Sequence, residues 1–207
     1  MIEIVPGDLF DQTEAHLVIG FTDVFDTDTR EDRIIRHDSV QGQFLGRIYG
    51  NDLARLDAEL EMAVAGVPPV AAIAPQVKPH GKRTRYPVGT VAVLGTPQRL
   101  FLCVAYSVMA SDLVAQSGPD ELWRSLGQLW SVAHRRGQRG RIAMPVIGAG
   151  LARVDALQRS ALIKLILLSF VAASRPHVIA GKFSIVVPPE EFAELDRLEL
   201  QDFLDSL

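Results

Sequence analysis

The stretch Arg141-Ile-Ala-Met-Pro-Val-Ile-Gly-Ala-Gly-Leu-Ala-Arg153 is the part of this sequence that decides the fold. Its apolar run ends in two glycines, Gly148 and Gly150, and a long apolar segment follows almost at once. This order is typical of a strand that reaches the rim of a sheet and turns into a helix. Free backbone N–H groups at such a rim can hold a phosphate, and glycine lets a ligand approach the main chain closely. An ordinary tight turn is the alternative interpretation of the same residues.

Length and composition indicate a single globular domain over residues 1–207, because a chain of 207 residues is short for two domains. Hydrophobic residues make up 48% and charged residues 22%, a balance typical of soluble globular proteins. The net charge of −4 gives no reason to expect non-specific affinity for nucleic acid. We therefore predict no nucleic-acid partner.

Sorting signals are not evident in the sequence. Met1-Ile-Glu-Ile-Val5 lacks the basic start and long apolar core of a secretory signal. The most apolar window, 161–173, contains Lys164 and has about 13 residues, too few to span a bilayer. Cys103, the only cysteine, lies inside an apolar run and is predicted to be a core residue. We predict a cytoplasmic protein that reaches a membrane only through another segment or chain.

Strands and helices alternate along the chain. Short apolar or alternating runs predict strands at 2–5, 16–21, 91–94, 100–106, 141–147 and 183–187. Helices are predicted from a cap at Asp52 to about Ala65, from Ser117 to Gly137, from a cap at Asp155 over 156–173, and from Pro188 onward. The last of these is predicted to pack through Phe192, Leu195, Leu198 and Phe203. The alternation predicts an α/β fold with a three-layer α/β/α arrangement, a mixed sheet with helices on both faces.

The carboxyl ends of the predicted strands are the expected ligand-binding edge of such a sheet. The candidate loops are those after Ile4, Phe21, Tyr106 and Ile147. A polar segment between Ile34 and Phe44 is predicted to be a further loop, with a single glycine.

Two charged segments allow more than one interpretation. Residues 23–32 hold five carboxylates, but their spacing lacks the central glycine and closing glutamate of a calcium loop. We interpret them as a solvated loop and predict no metal site. Residues 78–85 hold four cations, which can meet phosphates or an anionic lipid surface, or can simply be solvated.

Residue patterns of common catalytic sites are missing. The sequence has no Gly-x-Ser-x-Gly, no phosphate loop with a lysine, no His-Glu-x-x-His and no Cys-x-x-Cys. The residues instead suit binding. Backbone amides over 148–152 suit a diphosphate, Arg153 adds a cation, and Asp8 can accept hydrogen bonds from an exocyclic amine or ribose hydroxyls. Three aromatic residues can either stack on a base or belong to the core: Phe21, Phe25 and Phe44.

In this order the motifs resemble a macro domain, the fold that binds ADP-ribose and related NAD derivatives. Val5-Pro-Gly-Asp8-Leu9 is similar to the family's strand-Gly-Asp-Ile element, whose aspartate recognises adenine. Ser39-Val-Gln-Gly-Gln43, before a helix, resembles its first phosphate loop, and Met144-Pro-Val-Ile-Gly-Ala-Gly150 lies where its second phosphate loop is found. The resemblance covers nearly the whole chain.

A narrower resemblance is to the macro-type sensor domains of Thoeris antiphage defence effectors. The residues that carry it are Pro6-Gly-Asp-Leu-Phe10, Val24-Phe-Asp-Thr27, Ile34-Ile-Arg-His37 with Gly42-Gln-Phe44, and Pro145-Val-Ile-Gly-Ala-Gly-Leu-Ala-Arg153. In that family a TIR-domain partner consumes NAD on infection and releases an ADP-ribose-type signal. The macro domain binds the signal and switches on an effector, often through membrane segments that these 207 residues lack.

The sequence departs from hydrolytic macro domains at one informative place. Where those enzymes carry Asn-Ala-Ala-Asn, this chain has Phe21-Thr-Asp-Val-Phe-Asp-Thr27, without the asparagine that orients the distal ribose and its attacking water. The resemblance therefore implies a sensor and not an enzyme. The alternative is an ADP-ribosyl hydrolase of the same fold, with Asp23 or Asp26 acting as a base.

The resemblance also implies roles for individual residues. Asp8 and Leu9 would recognise adenine, Gly42 and residues 148–152 would hold the diphosphate, and Arg153 would pair with its charge. The full predicted ligand-binding set is Asp8, Leu9, Phe25, Asp26, Thr27, His37, Ser39, Gln41, Gly42, Gln43, Gly148, Ala149, Gly150, Leu151, Ala152 and Arg153. Apart from the ADP-ribose derivative we predict no cofactor, and we expect that activation can involve homo-oligomer formation.

Overall fold

The fold is described by a computed structural model over residues 1–149 and 157–207. Its strands are β1 Ile2–Pro6, β2 Ala15–Thr22, β3 Ala71–Ala72, β4 Thr84–Arg85, β5 Val91–Thr96, β6 Arg99–Met109, β7 Ala115–Gln116, β8 Arg139–Met144 and β9 Ala180–Val187. Its α-helices are α1 Val40–Tyr49, α2 Leu53–Val64, α3 Pro119–Arg136, α4 Arg159–Ser174, α5 Pro189–Ala193 and α6 Arg197–Asp205. Short 3-10 turns lie at Leu9–Asp11 and Arg30–Asp32.

A mixed sheet forms the middle of the molecule, with the strand order β1-β9-β8-β2-β6-β5. Each neighbouring pair from β1 to β6 is parallel, and only β5 runs antiparallel to its neighbour in this path. The short strand β7 extends β6, and β3 pairs with β4 apart from the main sheet. The parallel strands are apolar because both of their faces are covered by helices.

Alternate side chains of β2 enter the two halves of the core, as the two-residue period of a strand requires. Val18 packs with α3 and α4 on one face, where the Trp130 ring N–H donates to Ser169 Oγ at 2.9 Å. Leu17 and Ile19 pack with α1 and α2 on the other face. The predicted three-layer α/β/α arrangement is confirmed. Cys103 is fully buried in the second half of the core, as predicted.

Two predicted helices are confirmed, one of them with its predicted cap. Asp52 accepts a hydrogen bond from Arg55 N at 3.0 Å and begins α2. The predicted apolar face of α3 is buried, although the cap residue is Gly118 and not Ser117. Within the described residues none of the helices is long and apolar enough to cross a membrane.

Other predicted boundaries were wrong. The polar segment 34–44 is not all loop, because α1 begins at Val40 after Ser39 accepts a hydrogen bond from Gly42 N at 3.1 Å. The helix predicted over 156–173 begins only at Arg159, because Gln158 has an extended backbone. Asp155 and Ala156 lie outside the described residues.

The last strand and the terminal helix also differ from prediction. Strand β9 begins at Ala180, three residues early, because its start pairs with β8 as well. The predicted terminal helix is two helices, since Asp196 accepts a hydrogen bond from Glu199 N at 3.0 Å and starts α6 afresh. This restart leaves Leu198 80% exposed and buries Leu200 in its place.

Candidate functional site

The candidate site is the edge where the carboxyl ends of the parallel strands meet, which we call the rim. Strands β1, β9, β8, β2 and β6 run in the same direction, so the loops that follow them lie at this edge. Three of the predicted elements are there: the turn after β1, the start of α1, and the turn after β8. This is the edge at which open α/β sheets bind their ligands.

Asp8 lies directly after β1, at the outer side of the rim. Gly7 N donates to Val187 O at 2.9 Å, which ties this turn to β9. One Asp8 carboxylate oxygen accepts from Phe10 N at 2.7 Å, and the other pairs with the Arg47 guanidinium of α1. The Asp8 side chain is 40% exposed, so a ligand can reach it. Leu9 is buried, so its side chain belongs to the core.

Several hydrogen bonds hold the start of α1 and the loop before it. The N-terminus of α1, which is the positive end of its dipole, faces the rim. A Cβ at Gly42 would lie 2.7 Å from His37 Cα and closer still to Arg36 O, so only glycine fits here. The Gln41 side chain donates to the Asp26 backbone carbonyl, and the Gln43 side chain donates to Asp38 O at 2.8 Å. The two glutamines therefore fix the loop before α1.

His37 is exposed and bound to Asp32. Its backbone N–H donates to Asp32 at 2.7 Å, and its Nδ1 lies 2.8 Å from the second carboxylate oxygen. The backbone and side-chain hydrogen bonds of His37 hold the pKa of Asp32 below its usual range. His37 thus lies in a fixed loop close to the start of α1.

Tyr106 is a rim residue that the sequence indicated only as a strand end. Its ring lies over Gly20 of the neighbouring strand, where an added Cβ would be 2.6 Å from Tyr106 Cε1. Burial raises the pKa of Tyr106 to about 12, and a backbone hydrogen bond with Gly148 opposes that rise. A glycine inside a central strand often marks such a close approach, so Gly20 was the available signal.

The second predicted phosphate loop is described only in part. Gly148 has a φ of +88°, a left-handed conformation that favours glycine. Ala149 N donates to Val146 O at 3.4 Å, which closes a turn. The rest of the predicted loop lies outside the described residues: Gly150, Leu151, Ala152 and Arg153.

The acidic segment after β2 is not the solvated loop that we predicted, because its first two carboxylates are buried. Asp23 accepts from Met109 N at 2.8 Å and pairs with Arg85. Asp26 pairs with Lys78, and both side chains are almost fully buried. Burial raises the pKa of the Asp26 carboxyl, and the hydrogen bond from Lys78 opposes that rise.

The basic segment 78–85 is accordingly not a solvated or phosphate-facing loop as a whole. Lys78 and Arg85 pair with the buried carboxylates of the acidic segment, and Lys82 pairs with Asp57 of α2 at 2.6 Å. The opposite charges of the two segments attract each other across more than fifty residues of sequence. The described residues contain no cluster of three His, Cys, Asp or Glu side chains that could hold a metal ion.

The aromatic candidates for base stacking are core residues. Phe25 is 2% exposed and its ring centroid lies 5.9 Å from that of Tyr86. Phe44 packs against Phe101 with 5.1 Å between ring centroids, and Phe21 is equally buried. Thr27 is buried as well and donates to Asp57 at 2.6 Å.

A cavity of about 380 Å³ lies beside the C-terminal half of α2. Its lining residues are Val24, Phe25, Leu60, Glu61, Val64, Gly81, Lys82, Arg83, Thr84 and Tyr86. Of the predicted ligand-binding residues only Phe25 takes part. We take the rim as the candidate site because the turns at Asp8 and Gly148 follow parallel strands there, and the first turn of α1 is bonded to Asp26 in the loop after β2.

The sequence of residues 2–188 matches a family model described as Thoeris protein ThsA, Macro domain. Among curated proteins none matches this sequence. The family model covers most of the chain, including the turn after β1, α1 and the turn after β8.

Several solved structures that are similar to this one are macrodomains. The Oceanobacillus iheyensis macrodomain with ADP has a TM-score of 0.62 and 14% identity, over 99% of this chain and 92% of that chain. A mutant of that macrodomain has a TM-score of 0.61 and 12% identity, over 99% and 93%. The macrodomain of Thermus aquaticus DarG has a TM-score of 0.55 and 16% identity, over 91% and 97%. At these identities the likeness shows the macro fold alone.

Proposed function

The chain belongs to the family of the Thoeris protein ThsA macro domain, and from that membership we propose that it is a sensor that binds an ADP-ribose-derived nucleotide at the rim. The observation that carries this proposal is the position of three features along one edge of the sheet. The features are Asp8 after β1, the turn at Gly148 after β8, and the start of α1 at Gly42. All three lie at the same edge of the sheet.

Each feature suits one part of the nucleotide. The exposed Asp8 carboxylate can accept hydrogen bonds from the adenine amine or a ribose hydroxyl. The dipole at the start of α1 favours the negative charge of the diphosphate, and the glycine at Gly148 lets the diphosphate approach the main chain. The Oceanobacillus iheyensis macrodomain, which shares the fold, was solved with ADP, a nucleotide that has the same adenine and diphosphate.

Binding without hydrolysis is supported by the state of the two candidate bases. Asp23 is held by Arg85 and Met109 N, and Asp26 by Lys78. A carboxylate whose oxygens are buried in ion pairs is poorly placed to take a proton from water at an open rim. The chain also lacks the asparagine of the hydrolytic loop. A sensor that keeps its signal intact fits these observations.

Calorimetry with ADP-ribose and with its cyclic and amino-acid-linked derivatives tests the proposal. We expect the chain to bind at least one of these nucleotides, with one nucleotide bound per chain. The Asp8→Asn variant should lose about 1.5–3 kcal/mol of binding free energy, since it removes a hydrogen-bond acceptor with full charge. Asp11→Asn is the matched control, because Asp11 also pairs with Arg47 but lies beyond the turn. If none of these nucleotides binds, the proposal is wrong.

The alternative function is removal of ADP-ribose from adducts. Product analysis distinguishes this activity from binding alone. We expect a nucleotide incubated with excess protein to be recovered chemically intact when it is followed by mass spectrometry over time. Release of free ADP-ribose from an adduct, at a rate proportional to protein concentration, would establish the hydrolase instead.

The partner that supplies the signal is a TIR-domain enzyme that consumes NAD, as membership of a Thoeris family implies. We propose that binding of its product changes the assembly of this chain and so passes the signal on. Analytical ultracentrifugation with and without saturating ligand measures this step. An unchanged sedimentation coefficient in the presence of a ligand that binds would exclude assembly as the output.

A further inference from the structure

Lys78 is a charged side chain with no exposed surface, and its three ammonium protons all have acceptors. Its Nζ donates to His80 O and Lys82 O, both at 2.8 Å, and lies 2.8 Å from Asp26 Oδ2 and 3.1 Å from Asp26 Oδ1. The backbone N–H of Lys82 donates to the same carboxylate at 2.6 Å. A buried ammonium is tolerated only when it is satisfied in this way.

Residues 78–85, which we call the strap, are joined to the loop after β2 at further points. Arg85 of the strap pairs with Asp23, and Lys82 shares Asp57 of α2 with Thr27, both at 2.6 Å. Three of the four cations of the strap therefore form ion pairs within the protein. Nothing in the sequence indicated that the acidic loop and the basic strap interact. In the structure, their carboxylates and cations form ion pairs with each other.

Gly81 shows how closely the strap approaches this loop. It has a φ of +75°, and an added Cβ would lie 2.7 Å from Lys78 Nζ and closer still to Asp26 Oδ1. The strap must bend at this residue so that Lys82 N can reach the carboxylate. No other residue fits here without displacing the ion pair.

The ion pair connects to the start of α1 through the backbone of Asp26. The Asp26 carbonyl accepts a hydrogen bond from the side chain of Gln41, which lies in the first turn of α1. In the same turn, Gly42 packs directly on the backbone of Arg36 and His37. Lys78 is thus connected to the predicted phosphate-binding turn through Asp26 and Gln41.

We propose that Lys78 is a positioning residue for the nucleotide site: through Asp26 and Gln41, it holds the first turn of α1 in the shape that binds the diphosphate. The inference rests on the proposed function for the identity of the ligand. A general stabilising role is the weaker account, because a buried ion pair often stabilises a fold no more than apolar residues of similar volume. Its benefit here is the fixed shape of the loop.

The test replaces both charges, since Lys78→Met alone would strand the buried Asp26 carboxylate and could unfold the protein. The double variant Lys78→Met with Asp26→Leu keeps the volume and removes the charges. Arg83→Met is the matched control, because Arg83 is an exposed strap cation for which the described residues provide no ion-pair partner. All variants are first compared with the unchanged chain by thermal unfolding.

The first readout is amide hydrogen exchange without ligand. In the double variant we expect the amides of residues 42 and 43 to exchange about tenfold faster than in the unchanged chain, because their turn opens more often. The amides of α4, on the opposite face of the sheet, should exchange at the same rate in both proteins. Unchanged exchange at residues 42 and 43 would overturn the proposal, whether or not any nucleotide binds.

The second readout is the affinity for ADP-ribose and for adenosine monophosphate, measured by calorimetry. We expect the double variant to bind ADP-ribose about tenfold more weakly, with a smaller loss for adenosine monophosphate, which lacks the second phosphate. Equal affinity in a folded double variant would overturn the positioning role. If the unchanged chain binds neither nucleotide, the comparison uses whichever ADP-ribose derivative the chain binds. If it binds none of them, the proposed function fails, and hydrogen exchange still decides the structural part.

Discussion

His16 is a buried histidine whose two ring nitrogens both have backbone partners. Its Nε2 lies 2.9 Å from Gly137 O, and its Nδ1 accepts from Leu100 N at 3.0 Å. These partners require a neutral ring with the proton on Nε2. His16 is the second residue of the central strand β2, at the end opposite the rim, so its role is to join β2, β6 and the end of α3.

We expect His16→Phe to lower the free energy of unfolding by about 1–3 kcal/mol, because it leaves the buried Leu100 N–H without a partner and removes one of the two donors to Gly137 O. Urea unfolding followed by circular dichroism measures the change. His177→Phe is the control, since His177 is exposed, and its effect should stay within about 0.5 kcal/mol. A small effect at His16 would show that water replaces the ring.

Glu3 links the two outermost parallel strands, β1 and β9. It accepts from Ser184 Oγ at 2.7 Å and pairs with Lys182 at 2.9 Å. Burial acts against ionisation, but the hydrogen bonds from Lys182 and Ser184 outweigh it and hold the pKa of Glu3 below its usual range. The ionised form is therefore favoured more in the folded protein than in the unfolded chain.

A lowered carboxyl pKa contributes stability at pH values above the unfolded pKa, near 4.5, and the contribution is lost as the pH falls through the folded pKa. We therefore expect Glu3→Gln to cost about 0.5 kcal/mol at pH 7, a modest amount because the pair is partly solvated. The difference should shrink as the pH falls below 4.5 and should vanish once the pH lies below the folded pKa of Glu3. Unfolding curves of both proteins across this range check the sign; a difference that grows in acid would contradict it.

At this scale the sequence grouped residues better than it predicted their contacts. Asp23 and Asp26 were correctly considered together, but as solvated residues or candidate bases. Their cationic partners lie 62 and 52 residues away in the chain, and a single sequence does not reveal that pairing. The loop after Tyr106 was predicted to lie at the rim, but the packing of the Tyr106 ring on Gly20 was not predicted.

Helix α1 is the element on which the candidate site depends most, and it contains two glycines with opposite environments. Gly42 packs on the backbone of Arg36 and His37. Gly46 meets only the flexible Asn51 side chain, at 3.5 Å from an added Cβ. The pair allows a matched comparison within one helix.

We expect Gly42→Ala to destabilise the fold by about 1–3 kcal/mol, because the methyl group forces the first turn of α1 away from the preceding loop. Gly46→Ala should be neutral or stabilising by up to about 1 kcal/mol, since alanine favours a helix more than glycine does. Thermal unfolding measures both. Equal effects at the two positions would mean that the loop before α1 yields easily.

The comparison of elements shows what periodicity can and cannot predict. Helices α2 and α3 were predicted well because they have apolar stripes and clear caps. The start of α1 was missed because its first turn is Val40-Gln-Gly-Gln43, a polar segment with a glycine. The break before α6 was missed because Asp196 acts as a cap inside an otherwise continuous pattern.

For the whole molecule, the alternation of strands and helices in the sequence predicted the three layers but not the order of the strands in the sheet. Strand β1 pairs with β9, so Ile2 lies opposite Phe183 at the far end of the chain. Such a pairing leaves no local trace in the sequence. Its consequence for function is large, because it places the turn at Asp8 on the same rim as the turns after β2 and β8.

The central claim is that one nucleotide binds across this rim, and a crystal structure of the chain with ADP-ribose tests it most directly. We expect adenine beside Asp8 and the diphosphate between the first turn of α1 at Gly42 and the turn at Gly148. We also expect the strap to keep its ion pair between Lys78 and Asp26. A nucleotide bound in the cavity beside α2, or anywhere else away from the rim, would contradict the account.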